Sequence, residues 1–119
     1  MDTINQASTA AAAVPSSAST ALVLPAELTI YTVGELHPQW ITWLSETAAP
    51  GAEGIAEVQA GAVDLVDAAG VQLLLSLQRA LAAMGRRHRI TGASSALAAG
   101  CAGLGLAGWL QAQSAEAIT

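Results

Sequence analysis

The run Val63-Asp64-Leu65-Val66-Asp67-Ala68-Ala69-Gly70-Val71-Gln72-Leu73-Leu74-Leu75-Ser76-Leu77-Gln78-Arg79-Ala80-Leu81 decides how the rest of the chain is read. It passes from a short valine-rich stretch, through an aspartate and three small residues, into a long apolar stretch with helical spacing. Asp67 is a good N-cap, and its charge suits the positive end of the helix that follows. Gly85 is a natural stop, because helices end readily on a glycine just past the last turn. The pattern predicts a helix over Asp67–Met84. Val71, Leu74, Leu75 and Ala82 share one face, and Leu73, Leu77, Ala80, Leu81 and Met84 widen it. A helix packed on one sheet needs an apolar stripe of only about 100°. The wider arc points to either a covered helix or a docking face, and docking is the favoured reading.

Working outward, Ala21–Leu24 and the β-branched run Leu28-Thr29-Ile30-Tyr31-Thr32 read as two strands of a hairpin turning at Pro25-Ala26-Glu27. From Gly34 to Ala48 the spacing of Leu36, Trp40, Trp43 and Leu44 is helical. Pro38 is expected in the first turn, where its missing N–H costs nothing, and Pro50-Gly51 is expected to end the helix. Gly54–Ala60 alternates like a strand, with Val63 and Val66 extending the sheet side of the next loop. After the central helix come a strand over Arg89–Thr91, a helix capped by Ser94 or Ser95 through Cys101, and a last helix around Trp109. The expected fold is α/β: a mixed, mostly parallel sheet of about four strands with helices packed on one face. The expected organisation is an Ala/Ser/Thr-rich disordered tail over residues 1–20, one domain over 21–113, and a flexible tail over 114–119.

Composition removes several function classes. Among 119 residues there is no Lys, and the four Arg are outnumbered by nine acids, for a net charge of -5. Nucleic-acid binding needs a dense basic patch, so no nucleic-acid partner is expected. No stretch has the roughly 20 unbroken apolar residues of a membrane span, and the N-terminus lacks the basic region of a signal peptide. A single cysteine, Cys101, allows no internal disulfide. Together these predict a soluble, cytoplasmic protein without membrane insertion.

The segment Val63–Leu81, with its Asp67-Ala68-Ala69-Gly70 loop, resembles the signature of STAS domains, named for sulfate-transporter tails and anti-sigma-factor antagonists. Glu27-Leu28-Thr29-Ile30-Tyr31 with the helix around Leu36 and Trp40 is similar to the family's second strand and first helix. Ile90-Thr91-Gly92 and Leu104-Gly105-Leu106 are similar to its last strand and final helix boundary, so the resemblance covers about residues 22 to 110. It implies a non-enzymatic protein-interaction module of bacterial signalling that docks through the loop and central helix. The implied partner-binding residues are Asp67, Ala68, Ala69, Gly70, Val71 and Leu74. The chain departs from the family at that loop. Ala69 matches the phosphorylated Ser of the antagonists, and Ala68 matches the functional Thr of the lipid-transport members; neither alanine can be phosphorylated. Gln59 stands where the family often has Asp. The chain looks like switchless variants that resemble chemotaxis-cluster STAS proteins. The implied partner is a sensor kinase, a chemotaxis protein or an anti-sigma factor. The alternative is a STAS subunit of a phospholipid-transport ABC complex bound to its ATPase.

Other residues are weighed against plainer roles. Asp67 reads first as a helix cap, and Gly70 and Val71 equally as helix initiation. Arg86, Arg87, His88 and Arg89 read as cations complementing a helix C-terminus. Trp40, Trp43 and Trp109 read as packing, and Cys101 as an inert core thiol. His37, His88 and Cys101 have no metal-ligand spacing. No nucleophile–base constellation and no phosphate-cradling loop is present, so neither catalysis nor a cofactor is expected. An enzyme or small-molecule binder, the rival from another class, would need a polar pocket with perturbed groups.

Overall fold

The computed structural model describes residues 21–48 and 54–115. The elements are β1 (Leu22–Val23), β2 (Glu27–Leu28), α1 (Val33–Thr47), β3 (Ala56–Gln59), β4 (Leu65–Val66), α2 (Ala68–Ala83), β5 (His88–Thr91), α3 (Ser95–Gly103) and α4 (Ala107–Ser114). The α/β class is as expected. The sheet is not a single one of four strands: a three-stranded sheet has the order β1-β3-β5, a two-stranded one pairs β2 with β4, and every pairing is parallel. The tails over 1–20 and 116–119, and Pro50-Gly51, lie outside the described residues. Ser114, assigned from sequence to the C-terminal tail, belongs to α4.

The expected hairpin does not form. Leu22 faces Val58 and Glu27 faces Leu65, so Leu22 to Leu28 runs as one interrupted strand beside residues 58–66. The interruption falls at Pro25, which has no N–H to give to a ladder. Opposite it, the Gly61–Ala62 turn absorbs two extra residues. The run Thr29–Thr32, although β-branched, is a turn. The Thr29 amide donates to Thr32 Oγ1 at 3.0 Å, the Tyr31 amide donates to Thr29 Oγ1 at 3.2 Å, and the Thr32 hydroxyl donates to the Glu27 carbonyl at 3.1 Å. Threonine hydroxyls take the place of strand partners, which is how such side chains compete with regular structure.

The three-stranded sheet has one buried face, with Ala56, Val58, His88 and Ile90, and one accessible face. On the accessible face Arg89 Nη2 meets Glu57 Oε2 at 2.7 Å across neighbouring strands. That half-exposed pair contributes about 1 kcal/mol at most. The buried face joins Leu24, Leu28, Trp40, Trp43, Val63, Leu74, Leu81 and Leu97 in one apolar core. Pro38 lies in the second turn of α1 rather than the first, because the helix begins at Val33. The carbonyl deprived of its partner belongs to Gly34, an exposed residue.

The helix ends obey local rules. Ser94 caps α3 by accepting the Leu97 amide at 3.1 Å, and its hydroxyl also donates to the Val63 carbonyl. Gly85, at φ 68°, follows α2 with the Gly85 amide on Ala82 O and the Arg86 amide on Leu81 O, the paired bonds of a Schellman stop. Arg86 then satisfies the C-terminus of α1. Its Nε donates to Thr47 O at 3.1 Å and to Thr47 Oγ1 at 3.2 Å, and its Nη1 donates to Gly54 O. The basic cluster after α2 thus divides: Arg86 serves α1, Arg89 pairs across the sheet, and His88 is buried with Nδ1 2.7 Å from Arg86 O.

Burial along α2 predicts the cost of truncation. Leu81→Ala, at a site 1% exposed, should lower unfolding free energy by about 2–5 kcal/mol in urea denaturation. Met84→Ala, at the accessible end of the same helix, should cost less than about 1 kcal/mol. Equal losses at both positions would mean that α2 is not seated on this core.

Candidate functional site

The Asp67–Gly70 loop lies where β4 ends and α2 begins. Asp67 has extended backbone angles, φ −129° and ψ −176°, and is the N-cap of α2. Its two carboxylate oxygens do different things. Oδ1 accepts the Gly70 amide at 3.0 Å, inside the first turn of α2. Oδ2 accepts the Ile30 amide at 3.0 Å, in the turn between β2 and α1. These bonds hold the Asp67 carboxyl below its ordinary value of 3.8, the Ile30 amide most strongly, then the Gly70 amide, against a smaller opposing effect of burial and with a lesser share from the Ala69 amide.

Gly70 has an equally definite reason. A Cβ built on it would lie 1.9 Å from Leu28 O and 2.6 Å from Leu28 C. The first turn of α2 therefore rests directly on the β2 backbone, and only a residue without a side chain fits. Val71 and Leu74, expected at the partner surface, are both 1% exposed and belong to the core. On the loop itself, Ala68 is exposed and Ala69 is partly buried, so their methyls are what the loop offers. Sequence reasoning missed the apolar residues beside them. Tyr31 is 86% exposed, Ile30 59% and Leu65 55%. Ile30 is tied to Asp67 by its amide, Tyr31 follows it, and Leu65 precedes Asp67 by two residues in β4. Thr29 and Thr32, three residues apart, were the available sign of a turn that turns such side chains outward.

Elsewhere, α1 and α2 border an open groove of about 210 Å³, with Trp40, Leu44, Leu73 and Leu77 among its apolar lining and His37 and Ser76 as polar members. The excess apolar arc of α2 is thus partly accounted for by contact with α1. His88 Nε2 and Gln113 Oε1 are buried without a hydrogen-bond partner among the described residues, and neither lines that groove. Cys101 is fully buried, and burial pushes its thiol upward, away from the reactive thiolate. Among the described residues no three of His, Cys, Asp and Glu are grouped as a metal site. No helix among them is long and apolar enough to cross a membrane.

Comparison with protein-family models, curated proteins and solved structures returns no match.

Two outcomes follow for the loop. Gly70→Ala gains about 1 kcal/mol of helix propensity, yet the contact with Leu28 backbone should reverse the sign, for a net loss on the order of 3 kcal/mol in urea unfolding. A neutral or stabilising result would refute that contact. Asp67 has a depressed folded pKa, so its contribution is present above pH 3.8 and fades as pH falls through the lower folded value. The stability difference between wild type and Asp67→Asn should hold steady from about pH 7 to about pH 5 and shrink as pH falls below 3.8. A pH-independent difference would mean that the ionised carboxylate is not the bonded form.

Proposed function

We propose that the chain is a STAS-type protein-interaction module, non-enzymatic and cytoplasmic, that docks on a bacterial signalling protein through the N-terminal end of α2. The partner class is a sensor kinase, a chemotaxis protein or an anti-sigma factor. The observation carrying this reading is the arrangement around the Asp67-Ala68-Ala69-Gly70 loop. Asp67 and Gly70 build the loop from inside, while Ala68, Tyr31, Ile30 and Leu65 leave apolar surface accessible around it. The element order, a strand–loop–helix unit opened by Asp-x-x-Gly and followed by strand and helix, supports the resemblance stated from sequence.

Buried Val71 and Leu74 drop out of the docking surface, and exposed Ile30, Tyr31 and Leu65 enter it. Ala68 and Ala69 occupy the first and second positions of α2. With no hydroxyl there, occupancy follows the concentrations of chain and partner rather than a phosphorylation state. A single exposed Tyr among aliphatic side chains is a typical anchor of such interfaces, because aromatic residues carry much of the binding energy.

The test separates fold from docking. An acid in the first turn of a helix is favourable, so Ala68→Glu and Ala69→Glu should leave the thermal midpoint within a few degrees of wild type. Both should abolish capture of a signalling partner from lysate of the source cells, read by mass spectrometry beside wild type. Capture of an ABC ATPase, lost in the same variants, would favour the lipid-transport alternative. Equal capture by wild type and variants would remove the loop from the interface and the reading with it.

A further inference from the structure

The charges of this protein are unevenly distributed: four of the six acids among the described residues lie at one end of α2, while Glu46, next to the Arg86-bound Thr47, and Glu57, paired with Arg89, lie toward the other. All four Arg follow the third turn of α2: Arg79 lies 12 residues beyond Asp67, about 18 Å along a helix, and Arg86, Arg87 and Arg89 lie past its C-terminus. The opposite end is acidic. Glu27 sits in β2, Glu35 in the first turn of α1, Asp64 just before β4, and Asp67 caps α2. Glu27 and Asp67 bond to the turn that carries Ile30 and Tyr31, Asp64 directly precedes Leu65, and Glu35 lies four residues after Tyr31. No Arg lies in β2, β4, the turn between β2 and α1, or the first turns of α1 and α2, and the chain has no Lys.

Two of the acids are engaged internally, which sharpens the pattern. Glu27 Oε2 accepts the Thr29 hydroxyl at 2.7 Å, and Asp67 holds Ile30 and Gly70. Glu35 and Asp64 are exposed. A phosphate backbone or an anionic membrane surface would be repelled from this end, since both are recognised by basic residues. A second copy would bring the same acids against one another. The arrangement that relieves the charge and covers the apolar side chains is a protein surface with an apolar centre and an Arg- or Lys-bearing rim.

We infer that the partner docking at the N-terminal end of α2 presents such a surface: its apolar centre covers Tyr31, Ile30 and Leu65, and its basic side chains face Glu35 and Asp64. This inference rests on the docking reading above and adds the chemistry of the occupant. Tyr31 and its neighbours give the contact area, whereas the acids set orientation, association rate and salt dependence.

The experiment traps the occupant before testing its charge. The full chain carrying Tyr31→p-benzoylphenylalanine is irradiated in the source cells, and the adduct is identified with its crosslinked peptide. The partner is then purified, and its Kd is measured for wild type, for the Glu35→Gln/Asp64→Asn double variant, and for Glu46→Gln, an exposed acid near the far end of α1. The expected result is a crosslinked peptide flanked by Arg or Lys. The double variant should then bind about 10-fold more weakly, with Glu46→Gln changed less than about twofold. Wild-type affinity should also weaken between about 50 and about 300 mM NaCl. An adduct whose Kd ignores both the double variant and salt overturns the basic-rim inference and leaves the docking reading standing. An adduct only with another copy of this chain or with lipid, or no adduct at Tyr31, overturns both.

Discussion

One carboxylate organises the end of this molecule at which α2 begins. Asp67 reaches forward to the Gly70 amide and sideways to the Ile30 amide, joining segments 37 residues apart in the chain. The cap starts α2, and the second bond fixes the turn that leads into α1. Gly70 then allows α2 to settle on the β2 backbone at a distance that no side chain permits. The buried part of the helix follows from that seating, since Val71, Leu74, Leu77 and Leu81 all point where the first turn aims them. Cap, close approach and apolar spacing are three separate demands, and this stretch of sequence meets all three.

The cap and the apolar spacing are local, which is why they were legible, whereas the close approach to β2 is not. The cap at Asp67, the stop at Gly85, the cap at Ser94 and the packing of Trp40 and Trp43 each depend on a few neighbouring residues. The β pairing was less legible because it depends on residues far apart. Nothing in Ala21–Leu28 states that its partner is residues 58–66 rather than the run immediately after it. Thr29–Thr32 misled for a different reason. Its β-branched side chains favour a strand by bulk, yet two of them carry hydroxyls that can close a turn. Local hydrogen bonding outweighed propensity.

The site shows the same division. Asp67 and Gly70 were visible as a motif, but their reasons proved internal: one bonds backbone, the other avoids it. Val71 and Leu74 could not be separated from Ile30 and Tyr31 by hydrophobicity, because exposure is a property of the fold and not of the residue type. The turn that escaped sequence reading is also the segment that brings the exposed tyrosine beside the loop. The residues of a motif can therefore act mainly as scaffolding for their neighbours.

At the other end of the molecule, Arg86 grips the last carbonyl of α1 at Thr47 and the carbonyl of Gly54 just before β3. One guanidinium thus pins both margins of the connection between helix and strand. The separation of those margins is set by the reach of a single side chain, not by how many residues lie between them. Loop-closure entropy rises only slowly with length, so this connection is a place where insertions and deletions can accumulate over evolution without moving α1 or β3. Loss of the arginine would make the same length changes consequential, coupling drift in that connection to the placement of the tryptophan-bearing helix.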